Sequence, residues 1–440
     1  MFVRPLAFSV LALAVALCAC DSIAAPVASS PAGKEASITD FGAKPDGTTM
    51  NTAAIQKAIE SLAGQGGGTL VIPQGTFLSG AIFLKPGVNL RLDKGAVLKG
   101  STDVKDYPQT NTRIEGHFQQ WLPALVNAVE SDHLRITGEG TLDGSGTPFW
   151  AAFRTAIAAD RNTKNLDVPR PRLVIIQKSK DVQVSGIHFL NSGFWNLHIY
   201  NCDGVTVDGL DIKAGDGSPS TDGMDIDSSR NVTIKNCTIS VNDDCIALKG
   251  SKGPFALNDK DSPPVEHIRV SDCTFVHGGS IVTVGSEATI VRDVVVEHCK
   301  AGGPNSRGIS VIRLKLRPDT PETYEDIHFK DITLDGQGAL VSVQPWKQYF
   351  DLMGQPAPTR TVRNVSLSNV TGNWGSFGTI HGNDGDKIED ITFENIDVKL
   401  TPPASRGTGT ILAAAAPQIV GVKNLTIKNV KLNGVAYTGP

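Results

Sequence analysis

Charge is scarce in this 440-residue chain: Asp, Glu, Lys and Arg make up 20% of it, and aromatic residues only 6%. Coiled coils and long surface helices need more charge than that, and the 45 glycines and 25 prolines would interrupt them. No apolar run reaches the roughly 18 residues that span a bilayer. A net charge of −4 offers no broad basic surface, so no nucleic-acid partner is expected. What remains is a 40% apolar fraction, enough for a large core in a soluble body.

Cysteine is also sparse, seven in all. Without Cys18 and Cys20 of the N-terminal segment, the chain keeps Cys202, Cys237, Cys245, Cys273 and Cys299. They form no CxxC pair and no metal-ligand spacing, which argues against a thiolate metal centre and an essential disulfide. Cys237, Cys273 and Cys299 hold the same place in similar segments, so they are expected to stack as small buried side chains on successive strands.

Arg4 followed by the apolar run Leu6 to Ala19 reads as an export signal over residues 1–25. The end of the run, Leu17-Cys18-Ala19-Cys20, also fits a bacterial lipobox, with a lipid anchor through Cys20; the other reading is cleavage near Ala24 or Ala25. Both put the body outside the cytoplasm, as a periplasmic, outer-membrane lipoprotein or secreted bacterial protein. Residues 26–37, rich in Pro, Ala and Ser, read as a tether, and 38–440 as the folded domain.

One phrase recurs through that domain: HLRITGEGTL at 133, DVQVSGIHFL at 181, GVTVDGLDIK at 204, NVTIKNCTIS at 231 and HIRVSDCTFV at 267, then on to NLTIKNVKLN at 424. Each phrase alternates β-branched and polar residues, breaks at Asp, Asn or Gly, and resumes as a second short strand. A unit this small cannot bury its own apolar face, whereas a stack of about ten shares one core. The expected fold is all-β: a single-domain right-handed parallel β-helix. Ala54, Ile55, Ala58, Ile59 and Leu62 fall at helical spacing and predict an N-terminal capping helix over Asn51 to Leu62.

The fold hosts enzymes and adhesins alike, so function must come from a site. Asp222 precedes the pair Asp243-Asp244 by about one coil, which would stack three carboxylates on neighbouring rungs. Asn242 makes the bend that lets adjacent aspartates act together credible. Converging carboxylates suit either a calcium site or an acid/base pair for a glycosidic bond. Arg313 and Lys315 share a strand face by the period-two rule, Arg317 extends the row, and cations there suit an acidic substrate; a solvated face is the other reading. Trp195, His198 and Trp346 either line a cleft or pack the solenoid.

These residues, together with DFGAKPDGTTMNTAAIQKAI, GEGTLDGSG and GFWNLHIYNCDGVTVDGLDI, resemble glycoside hydrolase family 28, the polygalacturonases and their pectin-degrading relatives. The family's Asn-Thr-Asp motif matches Ser220-Thr221-Asp222, its Asp-Asp pair matches Asp243-Asp244, and its Arg-Ile-Lys matches Arg313-Leu314-Lys315. The resemblance implies a hydrolase of pectic polysaccharide or oligogalacturonide that inverts the anomeric centre, a monomer with no cofactor and no metal ion. Asp243 would protonate the leaving oxygen, while Asp222 and Asp244 would activate water. Arg313 and Lys315 would hold a uronate carboxylate, and Tyr349 and Trp346 would touch substrate.

The chain departs from the family at Gly-His-Gly, where it reads VHGGSIVTVGSE with Ser280 in the histidine's place. Either His277 still serves the site, or the histidine is missing and His277 lies on the surface. The second case would fit a relative acting on rhamnogalacturonan or rhamnosyl linkages. The stretch 249 to 267 would wall off one end of the cleft, which suits exo action. The rival functions are a calcium-dependent pectate lyase and a non-catalytic carbohydrate-binding β-helix.

Overall fold

β-Branched residues alternate with polar ones in every repeated phrase, and in the computed structural model each phrase folds as parallel strands bent at a left-handed residue. The structure describes residues 33–303, 306, 308–401 and 417–440. The export signal and Cys20 therefore lie outside the described residues. The tether ends earlier than expected, because Glu35–Ser37 already pairs in parallel with Thr69–Val71.

The middle coils carry three strands where the repeat suggested two. In one coil these are Asp203–Asp208, Asp211–Lys213 and Met224–Asp227. The third strand was hidden because all four of its residues are buried, so it shows no polar alternation. These third strands form an eleven-stranded parallel sheet, close to the ten coils expected. The coils wind into a right-handed parallel β-helix.

Register in the third sheet is in step through the middle coils. Ile199, Ile226, Leu248, Val284 and Leu314 stack inward as one ladder of the core. The alternate positions point out, giving the row His198, Asp225, Ala247, Thr283 and Arg313. Polar residues on that row are therefore placed side by side at strand spacing, which is how the coil builds a site.

The capping helix is present as α1, Thr52–Gly64, burying Ile55, Ala58, Ile59 and Leu62. A second helix, α2 at Thr147–Ala159, and a hairpin of Thr110–Ile114 with His117–Trp121 were not foreseen. Helix α2 has Pro near its start and buries Phe149, Trp150 and Phe153 at helical spacing. Among the described residues no helix is long and apolar enough to cross a membrane. All five described cysteines are buried and unbridged, and the Cys237 amide donates to Cys273 Sγ at 3.4 Å, as the expected stack requires.

Candidate active site

The turns that lead into the third sheet lie one above another. The Asn196 amide donates to Asp222 O, the Gly223 amide to Asp244 O and the Cys245 amide to Ser280 O, each within 3.0 Å. This ladder sets Asp222 next to the bend at Asp243-Asp244, and one carboxylate oxygen from each of the three lies within 4.8 Å of the others. Asn242 is at the bend, its amide donating to Thr221 Oγ1 at 3.3 Å. Asp222 and Asp244 are buried and Asp243 is half-buried.

Two glycines make this packing feasible. A Cβ on Gly279 would come within 2.8 Å of Asp244 Oδ1, and one on Gly278 within 2.5 Å of Cys245 Sγ. Any side chain at either place would push the aspartate bend outward.

The cations divide the aspartates into different charge states. Lys315 Nζ donates to Asp244 Oδ2 at 2.7 Å, while Arg313 Nη1 and Ser280 Oγ both donate to Oδ1 at 3.1 Å. Burial alone would raise the Asp244 pKa, but Lys315 and Arg313 hold it well below the usual carboxylate range. Asp243 is pushed up by burial and by the charge on Asp244. Asp222 is pushed well up by burial, then by Asp225 and Asp243. Asp244 is thus held ionised beside two carboxyls of raised proton affinity, with Lys249 opposing the rise at Asp222, and the three are drawn apart as acid/base work needs. The trio's spacing would admit a cation, but both Asp244 oxygens are already held, which leaves few of the six to eight oxygens that calcium takes.

The other sequence candidates divide clearly. Trp346 is at the site, its ring centre 4.9 Å from Lys315 Nζ. Tyr349 is exposed, and its only described hydrogen bond is the one its carbonyl accepts from Arg317 at 2.6 Å. Arg317 does not extend the cation row. The strand ends at Leu316, so the alternation stops there, and Arg317 is buried in an ion pair with Asp319 at 2.9 Å. His277 is no free surface residue: it is half-buried, and its Nδ1 bonds to Val241 O at 2.5 Å, two residues before Asp243. A carbonyl oxygen only accepts, so Nδ1 is the donor in that bond. His198 is structural: wholly buried, its Nδ1 lies 2.8 Å from Arg172 Nη1 and its Nε2 3.4 Å from Asp227 Oδ2. Burial lowers its pKa to about 4.

Several members of the site were missed in the sequence. Asp225 lies on the outward row, and burial pushes its carboxyl up to about 8. Lys249 lies 3.6 Å from it, and Glu287 and the ring of Trp195 stand around that same ammonium. Asp225 could have been found from its place three residues after Asp222. Nothing in the sequence ties Glu287 to Lys249.

The hairpin packs against the coils that carry the aspartates. Arg113 reaches Asp227 at 3.3 Å and Asp259 at 2.9 Å, and Arg172 donates to Arg113 O and Thr112 Oγ1 at 2.7 and 2.8 Å. At the hairpin tip Glu115 pairs with Lys252 at 3.7 Å and accepts from Asn165 at 2.6 Å. The segment after Lys249 is fastened there too, through Tyr200 Oη to Asp261 O at 2.6 Å and Ser251 Oγ to Gly116 O at 3.4 Å. The stretch 249 to 267 and the unforeseen hairpin are thus fastened to each other.

Comparison with known proteins agrees with this geometry. The profile of glycosyl hydrolases family 28 matches residues 65–413. An exopolygalacturonase of Zea mays is 29% identical over 355 residues, covering 78% of either chain. An endo-polygalacturonase of Pectobacterium parmentieri is 27% identical over 370 residues, covering 81% of this chain and 86% of the relative. Among solved structures, an exopolygalacturonase from Thermotoga maritima superposes with a TM-score of 0.72 at 24% identity, covering 92% of this chain and 93% of that one.

Proposed function

The chain belongs to glycosyl hydrolases family 28, and from that membership we propose that it cleaves pectic galacturonan with Asp222, Asp243 and Asp244. It is a glycoside hydrolase acting on O-glycosidic bonds. The observation that carries the reading is the split among three carboxylates in one cluster: Asp244 clamped by Lys315 and Arg313, with Asp243 and Asp222 raised by burial. Asp243, half-buried and biased toward the protonated form, serves as the general acid. Asp244, held ionised, and Asp222, whose ionised form Lys249 favours, activate the water.

Carboxylate oxygens within 4.8 Å of one another are closer than the roughly 6.5–9.5 Å that usually admits water between an inverting pair. In an inverting reaction here, the water enters beside the trio rather than between two carboxyls. Proton NMR of the first-formed anomer tests this: the inverted sugar supports the assignment, and the retained one makes an aspartate the nucleophile.

Arg313 and Lys315 lend positive charge beside Asp244, with the Trp346 ring beside Lys315, so an acidic sugar is favoured there. The hairpin and the segment after Lys249, fastened to each other, support exo cleavage from a chain end. His277, held against Val241, supports polygalacturonan over a rhamnosyl substrate. Incubation with polygalacturonate and with rhamnogalacturonan, followed by sizing of the products, tests all three. Small products released from polygalacturonate while the polymer stays long support the reading. A rapid fall in polymer length makes the enzyme endo-acting, unsaturated products make it a lyase, and cleavage of rhamnogalacturonan alone overturns the substrate. The export signal of residues 1–25 supports a place of action outside the cytoplasm.

A further inference from the structure

Lys249 ends the strand Ile246–Lys249, and its side chain is almost wholly buried. Its ammonium lies 3.5 Å from Glu287 Oε2, 3.6 Å from Asp225 Oδ1 and 3.8 Å from Asp222 Oδ2. The Trp195 ring closes another side, its centre 4.7 Å away. None of the three carboxylate side chains is more than 9% exposed. Three nearly equal distances mean that no single partner captures the charge. One cation is shared among carboxylates from the turn before the third sheet, from that sheet itself and from the turn after the next coil's strand.

Both oxygens of Asp225 are buried without a hydrogen-bond partner, so Asp225 feels Lys249 through space alone. Asp222 has no arginine or lysine other than Lys249 within ion-pair distance among the described residues. A buried carboxylate with a single shared cation has its charge state set by how that cation is divided.

We propose that Lys249 is a positioning residue that sets the charge on Asp222, and that Glu287 tunes it by drawing the same ammonium the other way. The proposal rests on the reading of Asp222 as a water-activating base. The other charged groups facing this cluster are Asp243 and Asp244 from the neighbouring bend, Arg170 across from Asp222, Arg172 beside Asp225, and Glu115, Lys252 and Arg317 around Glu287. None of these groups changes in the variants below. Burial and the neighbouring aspartates raise Asp222 while Lys249 lowers it; burial would raise Glu287 too, but Lys249 and Lys252 hold it below its ordinary range. Both effects fit a shared cation.

The test is the pH dependence of kcat and kcat/KM on polygalacturonate for the wild type, Lys249→Met, Lys249→Arg, Glu287→Gln and Asp222→Asn. Removing the ammonium raises the Asp222 pKa, so in Lys249→Met the acid limb moves up by about one pH unit or more and kcat falls about 100-fold, with KM nearly unchanged. Lys249→Arg restores most of the rate. Glu287→Gln releases the ammonium toward Asp222 and removes a like charge, so its acid limb moves down. Opposite shifts from two neighbouring substitutions are not produced by a merely structural role. Should Lys249→Met fail to fold, the direction of the Glu287→Gln limb decides alone. Acid limbs at the wild-type position in the folded variants overturn the proposal. Asp222→Asn separates the two failures: an inactive Asp222→Asn with unmoved limbs sinks only the Lys249 proposal, whereas an active one sinks the site reading beneath it.

Discussion

The middle coils and the C-terminal coils are made from the same repeated phrase, yet they end differently. Between residues 180 and 284 the strands are short, three to seven residues, and turns such as 214–223 and 241–245 interrupt them. From residue 322 onward, two strands of the coil fuse into single bent strands of 14, 15, 14 and 11 residues. In the fused strands the polar residues form self-contained ladders. Asn364 donates to Asp326, Asn369 to Asp331 and Asn424 to Asp390, at 2.6, 2.8 and 2.9 Å, one coil to the next. Each of these asparagines holds a positive φ that few other residues accept, so they mark the bends of the coil. In the middle coils the interruptions bring buried carboxylates together with too few cations to settle all of them. Uninterrupted coil gives stability, and broken coil gives a place where protons are held away from their ordinary equilibrium.

The comparison breaks most visibly at Asp243. Asp243→Asn is expected to lower kcat on polygalacturonate by at least ~10³-fold while leaving the melting temperature nearly unchanged, because an amide cannot supply the leaving oxygen's proton. A variant keeping a tenth of the rate would return Asp243 to the structural class. Next comes Lys315→Ala, expected to reduce kcat/KM about 10- to 100-fold on acidic chains and far less on esterified ones. Its acid limb should also move to higher pH, since Asp244 loses its nearest cation; equal losses on both substrates would argue that Lys315 acts only through Asp244.

In the C-terminal coils the effects should invert. Phe393 is buried against Phe377, their ring centres 4.9 Å apart, and Phe393→Ala should cost about 3–5 kcal/mol in denaturant unfolding with unchanged kcat per folded molecule.

The pH dependence of stability separates the regions again. Burial pushes the Asp225 carboxyl up to about 8 in the folded chain, whereas an unfolded aspartate ionises near 3.9. The folded state therefore binds the extra proton between these values, and the contribution of Asp225 to stability falls as pH rises through that window. Asp225→Asn should flatten the decline of melting temperature between about pH 4 and pH 8; an unaltered slope would mean that Asp225 is ionised when folded. The smallest change is Asn364→Ala, which loses the bond to Asp326 and leaves alanine at positive φ. It should cost about 1–2 kcal/mol and no activity.

The sequence by itself determined the solenoid, because a two-residue alternation broken at Asp, Asn and Gly can be satisfied only by strands that turn and stack. It also placed Asp222 beside Asp243-Asp244, since residues one coil apart become neighbours whatever lies between them. Arg313 and Lys315 were legible for a similar reason: on one strand, alternation fixes the face. Arg317 was misread because the sequence does not mark where that strand stops.

What only the tertiary structure decided is everything that crosses between coils without the repeat's help. The hairpin at 110–121 reaches Asp227 and Asp259, and Lys249 meets Glu287 from another turn. The third strand of the middle coils, buried along its whole length, left no periodic trace. The charge states were hidden for the same reason. A carboxylate's pKa depends on burial and on which cation lies within about 4 Å, and those distances exist only once the coils have stacked.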